Sequence, residues 1–179
     1  MVDTGISKIL ISEEEIKTLV DSLGKEITAH YTDAGGELVV VGLLRGAFVF
    51  MSDLVRKIDY PLVVDFLAVS SYGDGTVSSG DVRIMMDLDG AVEGKHVLLV
   101  EDVVDTGTTF SKVIKMLKKR SPKSLKVCTL LNKPARRKVD VHIDFCGIDI
   151  PDEFVCGYGL DYAQKYRNLP YIGVLEIGG

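Results

Sequence analysis

The chain has 179 residues, 46% hydrophobic and 26% charged, with 21 basic and 26 acidic side chains for a net charge of −5. That length suffices for one domain with a full core, here 1–179, and the acidic balance argues against a nucleic-acid partner, which would require a basic face. No apolar run reaches the roughly 18 residues of a membrane span, the start lacks a basic-then-apolar leader, and Cys128, Cys146 and Cys156 are odd in number without metal-ligand spacing. They read as reduced core thiols of a cytoplasmic protein.

Ser12 with Glu15 three residues on is a capping box, and Ile16, Leu19, Val20, Leu23 and Ile27 then share one face, which predicts a helix to about His30. His30 reads as solvated or satisfied. A turn at 33–36 precedes an apolar strand at 38–43, of the kind covered on both faces in a parallel sheet. It delivers Leu44, Arg45 and Gly46 into a helix at 47–58 that stops before Pro61. Arg45 at a strand's carboxyl end is a candidate ligand residue, because open α/β sheets bind there. A third strand covers 62–70. The stretch 71–80 has three glycines and almost no apolar mass, and reads as a lid that orders over substrate and excludes water. A return strand at 82–87 and a turn at 88–90 follow.

The centre of the chain is 96–110, HVLLVEDVVDTGTTF. An apolar strand at 97–100 ends in Glu101 and Asp102. Two valines and Asp105-Thr106-Gly107-Thr108-Thr109 lead into a helix whose apolar positions are 110, 113, 114 and 117. A helix N-terminus has unpaired N–H groups and a positive dipole end, so it suits phosphate. Gly107 allows close approach and the threonines add donors. Carboxylates beside a phosphate site make sense if they hold Mg²⁺ or accept from sugar hydroxyls. Such a turn suits a ribose 5-phosphate. It is not a Walker loop, since GxxxxGK[ST] is missing, nor a dinucleotide fingerprint.

A strand at 124–131 delivers Asn132, Lys133 and Pro134; Arg136, Arg137 and Lys138 read as exposed charge. A short strand is expected at 141–146. Residues 151–162 are too broken by Gly and Pro for a helix; a helical turn at 163–168 and a strand at 171–177 close the chain. From periodicity alone Phe154 reads as a core aromatic.

The 97–109 stretch resembles the thirteen-residue phosphoribosyl-diphosphate (PRPP) signature of the type I phosphoribosyltransferases. With LLRG, SSYG, LLNKP and the hood-like DEFVCGYGLDYAQKYRNLPYIG, the likeness runs over about 8–175 and is similar to the bacterial hypoxanthine branch of the hypoxanthine–guanine phosphoribosyltransferases. It implies an open, mostly parallel twisted α/β sheet flanked by helices, with a small hood mainly from 146–179. It implies transfer of the phosphoribosyl group from PRPP to N9 of hypoxanthine, and of guanine, in purine salvage.

The resemblance carries roles to individual positions. Asp105 is the general base. Glu101, Asp102, Asp105, Thr106, Gly107, Thr108, Thr109 and Phe110 form the ribose and 5′-phosphate site. Leu44, Arg45, Gly46 and Arg167 bind diphosphate; relatives carry Lys at Arg45 and, in some, at Thr108. Lys133, Phe154, Val155 and Asp161 are assigned to the purine: Phe154 stacks on the ring and Lys133 donates to the 6-oxo group. Ser70, Ser71, Tyr72 and Gly73 begin the lid. Mg²⁺ is held by Glu101, Asp102 and Asp161. A homodimer or homotetramer is implied, with no nucleic-acid or membrane partner. The remaining readings are a relative acting on xanthine, adenine or orotate, and a PRPP-sensing regulator without activity.

Overall fold

The structure is a computed structural model that describes residues 5–71 and 82–176. Strand β1 (Ile6–Ile11) is followed by helix α1 (Glu13–Ala34), which Ser12 caps: its Oγ accepts from the Glu15 amide while Glu15 Oε2 accepts from the Ser12 amide at 2.8 Å. The helix runs one turn past His30, whose ring packs edge-on against Tyr31 and Phe145. Next come β2 (Leu38–Leu44), α2 (Phe48–Val55), β3 (Leu62–Ser71), β4 (Val82–Met86), β5 (His96–Val104), α3 (Thr108–Lys118) and β6 (Ser124–Asn132). Strands β7 (Phe145–Asp149), β8 (Val155–Cys156) and β9 (Ile172–Leu175) complete the chain.

Six strands form the main sheet in the order β4-β3-β2-β5-β6-β7, parallel except for the antiparallel edge strand β4. The central strands β2, β5 and β6 are apolar on both faces because both are covered. Successive side chains alternate sides. Val40, Leu98 and Cys128 join a core with α1 and α2, through Ile16, Leu23, Ile27, Phe50 and Leu54. Val39, Val41, Val97, Leu99 and Val127 face the other way and pack on α3 through Phe110, Val113 and Leu117. Thus α2, after β2, and α3, after β5, leave two adjacent strands for opposite faces of the sheet. That reversal opens a crevice at the carboxyl ends of β2 and β5, the place where open α/β sheets bind ligands.

At the opposite end of β5, His96 is buried against Ser124 Oγ (Nδ1, 2.6 Å) and the Gly35 carbonyl (Nε2, 3.0 Å), pinning the base of the sheet.

A second sheet, β1-β9-β8, is antiparallel and forms the hood; β1 pairs with β9 from Ile6↔Leu175 to Ile11↔Ile172. The N-terminal strand therefore contributes to a layer that sequence reading drew from the C-terminal segment. β1 escapes pattern recognition because it is half-exposed and only six residues long.

Other differences are local. The strand expected at 141–146 begins only at Phe145, where pairing with Cys128 of β6 starts. The helical turn expected at 163–168 is a run of turns, with Ala163, Gln164 and Tyr166 at positive φ. α2 is shorter than the 47–58 reading. Cys128 and Cys156 are buried, but Cys146 lies exposed on the edge strand, near Asp149 Oδ1 (3.9 Å); all three thiols are free. No helix among the described residues is long and apolar enough to cross a membrane.

Candidate active site

The two acids sit inside β5, not past its end: β5 stays paired with β6 as far as Val104↔Asn132. Asp102 is 5% exposed and its Oδ1 accepts from the Val103 amide at 2.7 Å. The Glu101 carboxylate Oε2 is buried without a hydrogen-bond partner. Burial, and then the neighbouring Asp102 charge, push Glu101 well above the ordinary carboxylate range; burial pushes Asp102 up to about 6. A pair of carboxylates held this way could hold a cation. Mg²⁺ typically takes one or two carboxylates plus substrate oxygens, so Glu101 and Asp102 fit it. Among the described residues no cluster of three or more metal-binding side chains exists, so the remaining ligands would come from substrate and water.

The loop after β2 closes over these acids. Its Leu44–Arg45 peptide is cis, and a Cβ on Gly46 would fall 1.9 Å from Asp102 Oδ2. Gly159 of the hood meets the same point: at φ +99, its Cβ would lie 2.4 Å from the Gly46 carbonyl. Hood, β2 loop and acid pair thus converge with no room for a methyl group.

On the other side of the acids, the β5–α3 loop opens α3. Ser111 N bonds back to the Gly107 carbonyl at 2.8 Å, so the amides of the residues just before it point out of the helix start. Phe110, read as a phosphate-site residue, has its ring 6% exposed in the core, leaving only its backbone for such a role. Gly107 is left-handed at φ +77, but the close approach it permits is to the protein: a Cβ there would meet the Val139 carbonyl at 2.4 Å. Glu101, Asp105, Thr106, Gly107, Thr108 and Thr109 help line a cleft of about 180 Å³. A larger cleft, about 460 Å³, lies between α1, α2 and the hood. It contains Arg167 but neither acid of the pair nor the helix start, whereas the smaller one holds Glu101 and the helix start.

The segment after β6 wraps this loop. Lys133 N donates to the Val104 carbonyl (3.0 Å), and Lys138 N and Val139 N both donate to Thr106 O (2.9 and 3.1 Å). Arg137, read as exposed charge, is half-buried: its Nη2 reaches Val104 O (3.3 Å) and Asn132 Oδ1. Sequence reading missed it because a run of three cations looks like a solvated face. Lys133 is 6% exposed and its ammonium donates to the Glu153 carbonyl at 2.7 Å; burial lowers its pKa.

Phe154 is 41% exposed, with its ring edge-on to Tyr162 at 5.6 Å, so the core reading fails and the ring is available for stacking. Its carbonyl accepts from Leu175 N, which fixes the backbone leading into Val155, whose side chain is buried. Asp161 pairs with Arg167 at 2.6 Å and accepts from Gln164 N; Gln164 Oε1 accepts from Arg45 (3.1 Å) and Arg167 (3.3 Å). Arg45 and Arg167, distant in sequence, are thereby brought together over the β2 loop. Ser70 and Ser71 are the last two residues of β3, Ser71 paired with Val82; the rest of the expected lid, 72–80 with Tyr72 and Gly73, lies outside the described residues.

A model of the phosphoribosyl transferase domain matches residues 9–163. The chain belongs to this family. It is 55% identical to a hypoxanthine phosphoribosyltransferase of Salmonella typhimurium over 166 residues, covering 93% of each chain. It is 52% identical to a hypoxanthine-guanine phosphoribosyltransferase of Bacillus subtilis over 176 residues, covering 98% of this chain and 97% of that one. A crystal structure of a hypoxanthine phosphoribosyltransferase from Staphylococcus aureus superposes with a TM-score of 0.91 at 46% identity, covering 98% of this chain and 97% of that chain. The acids and the helix start described above lie in the crevice at the carboxyl ends of β2 and β5.

Proposed function

We propose that this phosphoribosyl transferase moves the 5-phosphoribosyl group of PRPP onto N9 of hypoxanthine, and of guanine, giving the nucleoside monophosphate and diphosphate. The observation that carries the proposal is the junction of a buried acid pair, Glu101 and Asp102, with the start of α3, beside which Lys133 is held by its amide on the Val104 carbonyl. Relatives that share about half of the sequence are hypoxanthine phosphoribosyltransferases, which supports it.

In this reading the amides and hydroxyls of residues 105–109 take the 5′-phosphate. Glu101 and Asp102 take the ribose diol together with Mg²⁺; Asp161 is a further candidate ligand once released from Arg167. The metal, when bound, offsets the charge of the leaving diphosphate. Arg45 and Arg167 draw the diphosphate toward the β2 loop, and the amides around Gly46 can approach it because no side chain intervenes. The purine lies against Phe154, whose exposed ring offers a stacking face.

Lys133 sets the base. An ammonium donates only, so it accepts a 6-oxo group as partner and opposes a 6-amino group. Its present acceptor, the Glu153 carbonyl, is what the oxo group would join or replace.

The C1′–diphosphate bond breaks as the C1′–N9 bond forms, through an oxocarbenium-like state. The proton leaving purine N7 goes to the Asp105 carboxylate, a contribution of roughly 10²–10⁴-fold. Positioning and electrostatics supply the rest. The free thiols suit a cytoplasmic setting, and we take the working form to be a homodimer or homotetramer.

The test is Mg²⁺- and PRPP-dependent turnover of hypoxanthine, guanine, xanthine and adenine side by side. Fast turnover of hypoxanthine with little from adenine is expected. Asp105→Ala should lower kcat by about 10²-fold or more with little change in KM; an unchanged kcat removes the base role. PRPP binding without turnover of any base would leave a sensor instead.

A further inference from the structure

Arg136 is exposed, as its run of cations predicts, yet it contacts Asp105, to which the transferase reading assigns the base role, and shares a turn with Lys133. It ends a short 3-10 turn (Pro134–Arg136) that begins on Lys133, and its own amide donates to the Lys133 carbonyl at 3.2 Å. Its Nε lies 3.4 Å from Asp105 Oδ1 and 3.6 Å from Asp152 Oδ1. That same Asp105 oxygen is buried and has no hydrogen-bond partner in the described structure. The Lys133 ammonium points instead at the backbone carbonyl of Glu153. The Glu153 carboxylate is taken by Lys8 at 2.7 Å.

Six charges therefore share this corner: Asp105, Asp152 and Glu153 against Lys133, Arg136 and Lys8. Asp105 attracts the Lys133 ammonium and Arg136 repels it. With Arg136 absent, Asp105 would still attract the Lys133 ammonium, now unopposed by the Arg136 charge. An Asp105–Lys133 pair would occupy both groups at once. The carboxylate would be a weaker base, and the ammonium would be drawn off the position from which it reads an oxo group. An arginine suits the separating role because its charge is permanent and its donors are spread over a planar fork that can face two carboxylates.

We propose that Arg136 is a positioning residue that holds the Asp105 carboxylate apart from the Lys133 ammonium, so that base and oxo-reader act on one purine as separate groups. This rests on the transferase reading above. Arg136, Asp105 and Asp152 have side chains 46%, 37% and 54% exposed, so solvent screens the pairing and the effect is several-fold.

The experiment is steady-state kinetics with hypoxanthine for Arg136→Ala, Arg136→Gln and Arg136→Lys, with PRPP·Mg²⁺ affinity measured by calorimetry. Arg136→Ala should lower kcat and raise the hypoxanthine KM, together lowering kcat/KM about three- to fivefold, the scale of an exposed ion pair. PRPP affinity should stay within about twofold, because residues 105–109 are held from Val104 and by Lys138 and Val139. Arg136→Lys should restore at least half of the loss. In an Asp105→Asn background, where the Asp105 charge no longer draws Lys133 aside, Arg136→Ala should cost less than about twofold on the residual rate. Arg136→Gln serves if the alanine variant does not fold.

Unmoved kinetics, an equal loss in the Asp105→Asn background, or a parallel loss of PRPP affinity would each overturn the proposal; the last two indicate a merely structural turn. Wild-type protein that turns over no purine removes the transferase reading together with this inference. Wild-type turnover with an unaffected Arg136→Ala removes this inference alone.

Discussion

Gly46→Ala tests whether the three-way junction at the acid pair is needed for catalysis. The added methyl would start 1.9 Å from Asp102 Oδ2 and 2.7 Å from its Cγ, where ordinary contact begins near 3.4 Å. Something must move by about 1.5 Å, the gap between 1.9 Å and ordinary contact. The Asp102 carboxylate cannot swing clear without giving up the Val103 amide, and the β2 loop cannot retreat freely because Gly159 already touches the Gly46 carbonyl. Overpacking of this kind costs about 1–3 kcal/mol. At about 2–4 °C per kcal/mol for a domain of this size, Tm should fall by roughly 2–12 °C. A displacement of about 1 Å at reacting groups can cost about 10²-fold in rate, so kcat/KM should fall by about that factor.

Gly24→Ala is the matched control. Its Cβ would meet Lys57 Cβ at 2.4 Å and Lys57 O at 2.6 Å, where α1 packs beside the end of α2, away from the crevice. The clash is similar, and about 1 kcal/mol is returned by helix propensity. Tm should fall while kcat/KM at 25 °C stays within about twofold. The assays are thermal unfolding and PRPP-dependent turnover on the same preparations. A Gly46→Ala enzyme of near-normal kcat/KM refutes the reasoning. Equal activity losses in the two variants would also refute it, by assigning the loss to general softening.

Two further outcomes follow from the charges. Asp102 carries a folded pKa of about 6 against about 3.9 unfolded, so its charged form is disfavoured by folding; chelated protein should lose stability as pH rises from about 4 through 6, by about 3 kcal/mol at pH 7. Asp102→Asn should raise the Tm of chelated protein at pH 7 and flatten that part of the profile, and an unchanged Tm across pH 4–7 would contradict the burial argument. Lys133→Gln replaces a pure donor with a group that also accepts, so hypoxanthine kcat/KM should drop about 10–10²-fold while adenine drops less. An unaltered hypoxanthine-to-adenine ratio would deny Lys133 its part in selection.

Much of this protein is legible in the linear chain because its information is local. The Ser12–Glu15 box starts α1, the apolar runs at 38–43, 97–100 and 124–131 form parallel strands, and the turn at 105–109 opens a helix, as spacing alone predicts. Each depends on neighbours within a few residues. Tertiary structure decided the contacts between segments far apart. β1 gains its strand from pairing with β9 at the other end of the chain, since six half-exposed residues have no pattern strong enough to demand one. Gly46 and Gly159 owe their identity to Asp102 and to each other, more than 50 residues away in every case. Phe154 is exposed, and Arg137 is turned inward, because packing across β5, β6 and the hood leaves those places for them. Arg136 reads as surface charge until the fold sets it beside Asp105 and Asp152. Secondary structure follows from short-range sterics and periodicity, whereas burial, charge pairing and the absence of room for a methyl group arise only once distant segments share one volume.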